Sequence, residues 1–484
     1  MTRTLAIKSA IAHFDSGQLQ SDLNRRIAYR TESQDPTSGP TMYAYLEEEI
    51  APELERMGFT FRIIDNPVSE RHPFLFAQRQ EDPAAFTVLT YGHGDVQLAH
   101  AADWESENDP WQINADGDRW YGRGTADNKG QHTINLAALD QVIRARNGTL
   151  GYNIALLMDM GEEFGSPGLT EVCEQLKDEI SADVFIASDG PRISAEQPTI
   201  FLGARGAVNF MLTVNPRKES HHSGNWGGVL SNPAIVLSNA LATLVDKCGQ
   251  ITVEGLRPPP ISAAVRSALA GISVDSSPQS PSIDKDWGEP GLSPSERLFG
   301  WNTIEILAMT SGNPEGPVNA IPASARAHCQ LRFVVGTDWK STGEILRKHF
   351  ADRGLTMVDV HVEFGMAATR LNPENKWVGW ALDSIQKTTG KTPVLLPNLA
   401  GSLPNEAFSH ILKLPTIWIP HSYPGCLQHA PNEHNLVPLM RESVQVMAGI
   451  FWDLSELSHE PSWEHEPNLD AEPKSLQEEQ SHGE

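Results

Sequence analysis

The sequence predicts an α/β fold, a central mixed β-sheet flanked by helices with a second α+β domain inserted into it, and three observations carry that expectation. Residues 86–90, 152–158 and 183–187 are short apolar runs, β-branched or aromatic, with the character of buried strands,. Each delivers a histidine or carboxylate at its exit: His93 and Asp95 after the first, Glu162 and Glu163 after the second, Asp189 after the third. Open α/β sheets place their chemistry at the carboxyl ends of strands, and ionised carboxylates crowded into one cleft need a cation. Finally, the texture changes at Phe201 in a chain of 484 residues, long enough for two domains,.

The formal net charge of −25 disfavours nucleic acid and anionic membrane surfaces as partners, because both require clustered Lys and Arg,. Four scattered cysteines, Cys173, Cys248, Cys329 and Cys426, show no Cys-x-x-Cys spacing and suggest neither a disulfide framework nor a thiolate zinc site,. The N-terminal stretch lacks a sustained apolar core, and no apolar run approaches membrane-spanning length,. A cytoplasmic protein is expected.

In chain order, residues 4–27 read as amphipathic helix with Leu5, Ile11, Leu19, Leu23 and Ile27 as core contacts, and residues 43–57 as a second helix stopped at Gly58,. Residues 59–64 and 73–77 add strands before the 86–90 run. A polar connection bearing Trp104 and Trp111 leads to Gly122-Arg123-Gly124-Thr125-Ala126-Asp127-Asn128-Lys129-Gly130, which puts Asp127 in a glycine-flanked loop just before a helix over residues 131–146. A strand at 207–214 begins the second domain, and a glycine-rich segment around His221 and His222 precedes a helix at 232–246. The Pro- and Ser-rich stretch 257–294 is expected to be a long exposed excursion,. Residues 319–322 read as a turn, 323–335 as an edge or hairpin strand, 342–351 as a helix, and 358–364 as the strand that closes the inserted domain. A helix at 376–388 returns the chain to the first domain, followed by a strand at 416–420, the loop His429-Ala430-Pro431-Asn432-Glu433-His434 and a helix at 440–454. The first domain therefore takes residues 1–200 and 369–458, the inserted domain 201–368, and an acidic, proline-bearing tail expected to be disordered takes 459–484,.

Five motifs in this order resemble those of the M20 family of metallopeptidases, which includes aminoacylases, glutamate-type carboxypeptidases and carnosinase-like dipeptidases. They are Gly92-His93-Gly94-Asp95-Val96, Gly122-Arg123-Gly124 through Asp127 to Lys129-Gly130, Glu162-Glu163, Asp189, and His429-Ala430-Pro431-Asn432-Glu433. The resemblance covers the chain up to its tail and implies a zinc-peptidase-like catalytic domain with two Zn²⁺ per subunit, Mn²⁺ or Co²⁺ being substitutes. It implies His93 and Asp189 on one ion, Asp127 bridging, and Glu163 and His429 on the other, with Glu162 as general base and Asp95 orienting His93. The chemistry agrees: mixed His and carboxylate ligands suit zinc, and a bridging carboxylate offsets the repulsion of two ions about 3.5–4 Å apart. Adjacent glutamates point in different directions, so one can hold metal while the other takes a proton. His434 competes with His429, which the resemblance favours because Glu433 follows at the matching offset; His100, His132 and His421 are expected to be surface or structural.

The inserted region resembles the family's lid or dimerisation domain, which implies a homodimer through it. His222 matches a histidine that in relatives helps hold the tetrahedral oxyanion, often across a dimer interface, with His221 beside it. Arg332 and Asn319 match positions that bind the substrate carboxylate, and Gly401-Ser402 a turn whose backbone donors grip substrate. The implied activity is hydrolysis of an amide or peptide bond beside a free carboxylate in a small-molecule substrate. A dipeptidase comes first, because Asp189 stands where aminoacylase-like relatives carry glutamate; an amidohydrolase of N-acyl amino acids is the alternative. A catalytically silent binding protein would have lost ligands or the base, and none is missing.

Overall fold

The structure, a computed structural model, describes residues 2–274 and 282–457. The expected tail at 459–484 and Pro278 to Pro281 of the proline-rich stretch lie outside the described residues. Eight strands form the large sheet in the order Thr60–Ile64, Phe74–Arg79, Asn153–Asp159, Thr87–His93, Val184–Ala187, Thr416–Trp418, Thr199–Phe201, Val394–Leu396. The four from Asn153–Asp159 to Thr416–Trp418 run parallel, with antiparallel pairing on either side, so the sheet is mixed. A parallel strand covered on both faces needs a continuous apolar run, and Asn153–Asp159 is buried at every position,. All four central strands open their carboxyl ends at one edge of the sheet.

Alternation along the strands splits the core between two faces. Leu75, Val88, Ile154, Leu156 and Met158 bury with residues of helices Arg3–Asp15, Gln18–Ala28, Lys129–Ala145 and Val437–Leu457. Phe74, Phe76, Leu89, Tyr91 and Leu157 bury on the other face with helix Leu169–Ile180 and Trp418. Helix Lys129–Ala145 is buried at every residue but Arg144, which fixes the loop that enters it.

A second, wholly antiparallel sheet has the order Thr303–Ser311, Ala325–Phe333, Gly206–Val214, Asp359–Met366 and encloses its own buried cluster. Helices Pro233–Leu241 and Thr342–Asp352 pack against it. The chain enters through Gly203–Ala204 and leaves through Thr369–Arg370, and these two short strands pair with each other as a neck between the sheets. No helix among the described residues is long and apolar enough to cross a membrane.

Several elements differ from expectation for identifiable reasons. The helix over residues 4–27 breaks at Gly17, whose φ of +80° suits glycine, and Leu5 is 50% exposed while Ala6, Ala10 and Phe14 take the buried stripe,. The 43–57 helix contains a π-turn, Tyr45–Ile50, directly before Pro52, which has no N–H to give the ladder,. The helix expected to reach residue 246 ends at Leu241. The strand at Ala325–Phe333, expected at an edge or in a hairpin, pairs antiparallel with Thr303–Ser311 but lies inside the sheet; Thr303–Ser311 takes one edge, and its exposed apolar residues show no alternation that would reveal it in the sequence.

The 257–294 stretch departs most. Ser262 caps helix Ala263–Leu269, and Ser293 with Glu296 forms a capping box at helix Pro294–Gly300, so part of the Ser and Pro content is helix-start chemistry rather than open loop,. Val265, Leu269 and Phe299 are buried in the same cluster as Leu396, Leu403 and Phe408 of the large sheet's flank. This stretch ties the small sheet to the large one independently of the neck. Leu269→Ala is therefore expected to destabilise the protein by about 2–5 kcal/mol in denaturant unfolding. A change within about 0.5 kcal/mol, as for surface sites, would return the stretch to the solvent.

Candidate metal centre

The carboxyl edge of the parallel strands collects the titratable side chains. His93 ends the strand Thr87–His93 and is fully buried. Glu162 and Glu163 stand on a 3-10 turn, Glu162–Phe164, beyond Asn153–Asp159; Asp189 follows Val184–Ala187; His429 lies in the loop beyond Thr416–Trp418. Asp127 comes from the loop that opens helix Lys129–Ala145. That loop is drawn tight against the helix: a Cβ on Gly130 would stand 1.9 Å from the Thr125 carbonyl oxygen.

Asp127 is shared. Its Oδ1 lies 3.1 Å from His93 Nε2 and its Oδ2 2.9 Å from His429 Nε2. His93 Nε2 is 3.6 Å from Asp189 Oδ2 and 3.9 Å from Glu162 Oε2, and His429 Nε2 is 3.0 Å from Glu163 Oε2. Two three-residue groups result, His93, Asp127 and Asp189, and Asp127, Glu163 and His429, each able to present ligand atoms within 4.8 Å of one another.

The electrostatics of the cluster are those of a cation site. Burial, reinforced by Asp127, pushes the carboxyl of Glu163 up to about 7 and that of Asp189 up to about 6, and burial with its acidic neighbours lifts Glu162 well above its ordinary range,. Burial would lower both imidazoles, yet hydrogen bonds to Asp127 and Glu163 carry His429 up to about 11, and bonds to Asp127 and Asp95 raise His93. The same two histidines overcome burial to hold Asp127 well below the carboxylate range. Glu163 Oε1 is buried with no hydrogen-bond partner. Protons thus do poorly here what a dication does well, and His, Asp and Glu donors on shared geometry fit a pair of divalent ions.

Around the centre, backbone donors are fixed by buried acids. Asp95 lies behind His93, whose Nδ1 is 3.1 Å from the Asp95 carbonyl oxygen and 3.3 Å from its Oδ1. The Asp95 carboxylate also accepts the N–H groups of Glu162 and Glu163 at 3.1 and 3.0 Å, so it sets the turn as well as the imidazole. Glu433 pairs with Arg123 at 2.7 Å and accepts the N–H groups of Gly124, Ala126 and Asp127. Gln97 donates to Glu163 Oε2 at 2.9 Å, and Gln428 donates to Asp127. Gln97, Gln428 and Arg123 carry no signal of a role in the sequence beyond their position, inside or beside the motifs.

His434 is elsewhere, bonded to the Tyr423 hydroxyl at 2.6 Å. His132 bonds Tyr45 and His421 bonds Ser188, both buried, and His100 is exposed. The structure does not bring His222 or Asn319 to the cluster. They sit exposed on a small ribbon, His221–His222 paired with Ala320–Ile321, and among the described residues no hydrogen bond or ion pair links them to it. It does bring Arg332 to Ser402, Nη1 to Oγ at 2.7 Å, with Gly401 alongside.

Residues 89–453 match the sequence profile of Peptidase family M20/M25/M40. The chain is 37% identical to a Beta-Ala-His dipeptidase of Homo sapiens over 187 residues, 38% of this chain and 36% of the relative, so it spans well under half the length of that relative. It is 22% identical to the Cys-Gly metallodipeptidase dug1 of Schizosaccharomyces pombe over 85% of this chain and 90% of the relative. The solved structure of the dipeptidase Dug1p from Saccharomyces cerevisiae superposes with a TM-score of 0.74 at 21% identity, covering 94% of this chain and 99% of that one, a likeness of fold.

Cation binding must displace the protons that Asp189, Glu163 and the two imidazoles hold. Affinity for Zn²⁺ is therefore expected to climb between pH 5 and 8 with proton release, read by calorimetry in buffers of different ionisation enthalpy. Constant affinity without proton release would contradict the site.

Proposed function

The chain belongs to peptidase family M20/M25/M40, and on that premise we propose that it is a metal-dependent dipeptidase. The observation that carries the reading is Asp127, one oxygen toward His93 and the other toward His429, with Glu162 beside the pair. His93 and Asp189 would hold one Zn²⁺, Glu163 and His429 the other, Asp127 both, with Mn²⁺ or Co²⁺ as substitutes. Such ions supply Lewis acidity, polarising the scissile carbonyl and acidifying water.

The remaining work falls to side chains. Glu162, its carboxyl raised by burial, is basic enough to take a proton from the attacking water and return it to the leaving amine,. Asp95 keeps Glu162 at the right height through the turn's N–H groups. Arg332, with Gly401 and Ser402, grips the free carboxylate of the substrate, and Asn319, on the exposed ribbon that carries His222, completes that grip,. His222 donates to the oxyanion as charge builds on it.

We take residues 201–368 as a lid that also dimerises, and His222 as acting across that homodimer. Its exposure, and the exposed Ile306, Leu307 and Met309 on the edge strand Thr303–Ser311, support this reading,. A cytoplasmic setting suits the four unpaired cysteines,.

Metal-loaded protein is expected to hydrolyse dipeptides in preference to N-acyl amino acids, and to lose that activity to a chelator. Glu162→Gln should slow turnover on the order of 10²–10⁴-fold or more with metal content unchanged. Near-normal turnover would remove Glu162 from its role, and preference for N-acyl amino acids would move the chain to the amidohydrolases. For the dimer, inactive Glu162→Gln and His222→Ala chains mixed under subunit exchange should regain partial activity; no recovery would put His222 in its own subunit's site.

A further inference from the structure

Arg205 sits at the neck between the two sheets, a residue that the motifs do not single out. It is only 7% exposed, its Nε donates to the Ala400 carbonyl at 2.8 Å, and its Nη1 is buried with no partner. Arg332 is its neighbour across the small sheet, where Gly206 pairs with Phe333 and Ala207 with Arg332. The Arg332 guanidinium bonds Gln330 and Ser402, each at 2.7 Å, and the Ser402 hydroxyl donates in turn to the Arg205 carbonyl at 2.7 Å.

Neither guanidinium has a carboxylate within ion-pair distance among the described residues. Burial, and then the charge of Arg332, pull Arg205 down to about 10. Glu305 acts on Arg205 in the favourable sense without pairing to it, and its own carboxyl is raised by burial. A buried guanidinium with an unmade donor is costly, and a second one beside it makes the cost larger. An anion placed between them relieves both at once, and a carboxylate, with two oxygens for two forks, matches them in shape.

We propose that Arg205 and Arg332 form a two-guanidinium carboxylate site at the neck, with Arg205 taking one oxygen of the substrate's terminal carboxylate. The identity of the ligand rests on the dipeptidase reading; the existence of the anion site does not. Because Arg332 belongs to the small sheet and Ser402 to the loop after Val394–Leu396, the bound carboxylate would also fasten the two sheets together.

The test uses metal-loaded Glu162→Gln protein, alone and with Arg205→Gln, Arg205→Lys or Arg332→Gln added, and measures binding of alanylglycine and alanylglycinamide by calorimetry. Arg205→Gln is expected to weaken alanylglycine at least tenfold, as Arg332→Gln does, while changing alanylglycinamide less than twofold. Arg205→Lys, which keeps the charge, should lose less and again only for the acid; it replaces Arg205→Gln should that variant fail to fold. Equal loss for acid and amide, or no loss for either, would overturn the proposal and leave the dipeptidase reading standing. If the parent binds no alanylglycine, the substrate reading fails instead, and acetate decides the site. A thermal shift with acetate over chloride at equal ionic strength, absent in Arg205→Gln, would uphold it, and no shift in the parent would overturn it.

Discussion

The shared carboxylate of Asp127 sets the terms for everything near it. Two imidazoles approach its two oxygens at 3.1 and 2.9 Å, and three further carboxylates, Glu162, Glu163 and Asp189, crowd the same edge of the sheet. Groups of one sign cannot be buried together unless protons or cations intervene. The fold answers this by sending four parallel strands to one edge, so that residues almost 340 positions apart in the chain meet there without long loops having to find one another.

Holding these side chains in place requires a further layer, and it is built from buried acids that accept backbone N–H groups. Glu433 receives three donors from the Asp127 loop while Arg123 balances its charge. Asp95 receives both N–H groups of the glutamate pair, and Asp159 receives that of Gly161 at 2.8 Å. Breaking a pair such as Arg123 and Glu433 from one side leaves an uncompensated buried charge, a cost of about 3–5 kcal/mol. The Asp127 loop is therefore anchored from the far end of the chain, which couples the last motif to the second.

Much of this was legible in the sequence because the central strands announce themselves. The runs before His93, Glu162 and Asp189 are largely apolar and almost wholly buried, as suits strands covered on both faces, and their exits carry the titratable groups,. The inserted sheet was harder. Thr303–Ser311 exposes its apolar residues, so it shows neither burial nor period two, and without it the strand at 323–335 reads as an edge or hairpin strand. Leu5 was misplaced by one position because Ala6 and Ala10, small residues with little hydrophobic signature, form the real contact stripe. The 257–294 stretch was misread since Ser and Pro serve helix starts as readily as open loops. Arg205 gave no signal at all: its meaning lies in Arg332 and in an unpartnered nitrogen, both of which are tertiary facts.

We propose that these acids and imidazoles surround two cations and not one or none. It is tested most directly by a crystal structure of Zn²⁺-loaded protein with anomalous scattering at the zinc edge. Two peaks about 3.5–4 Å apart are expected, with Asp127 between them, His93 and Asp189 on one, and Glu163 and His429 on the other. A single peak, or zinc bound away from Asp127, would contradict it.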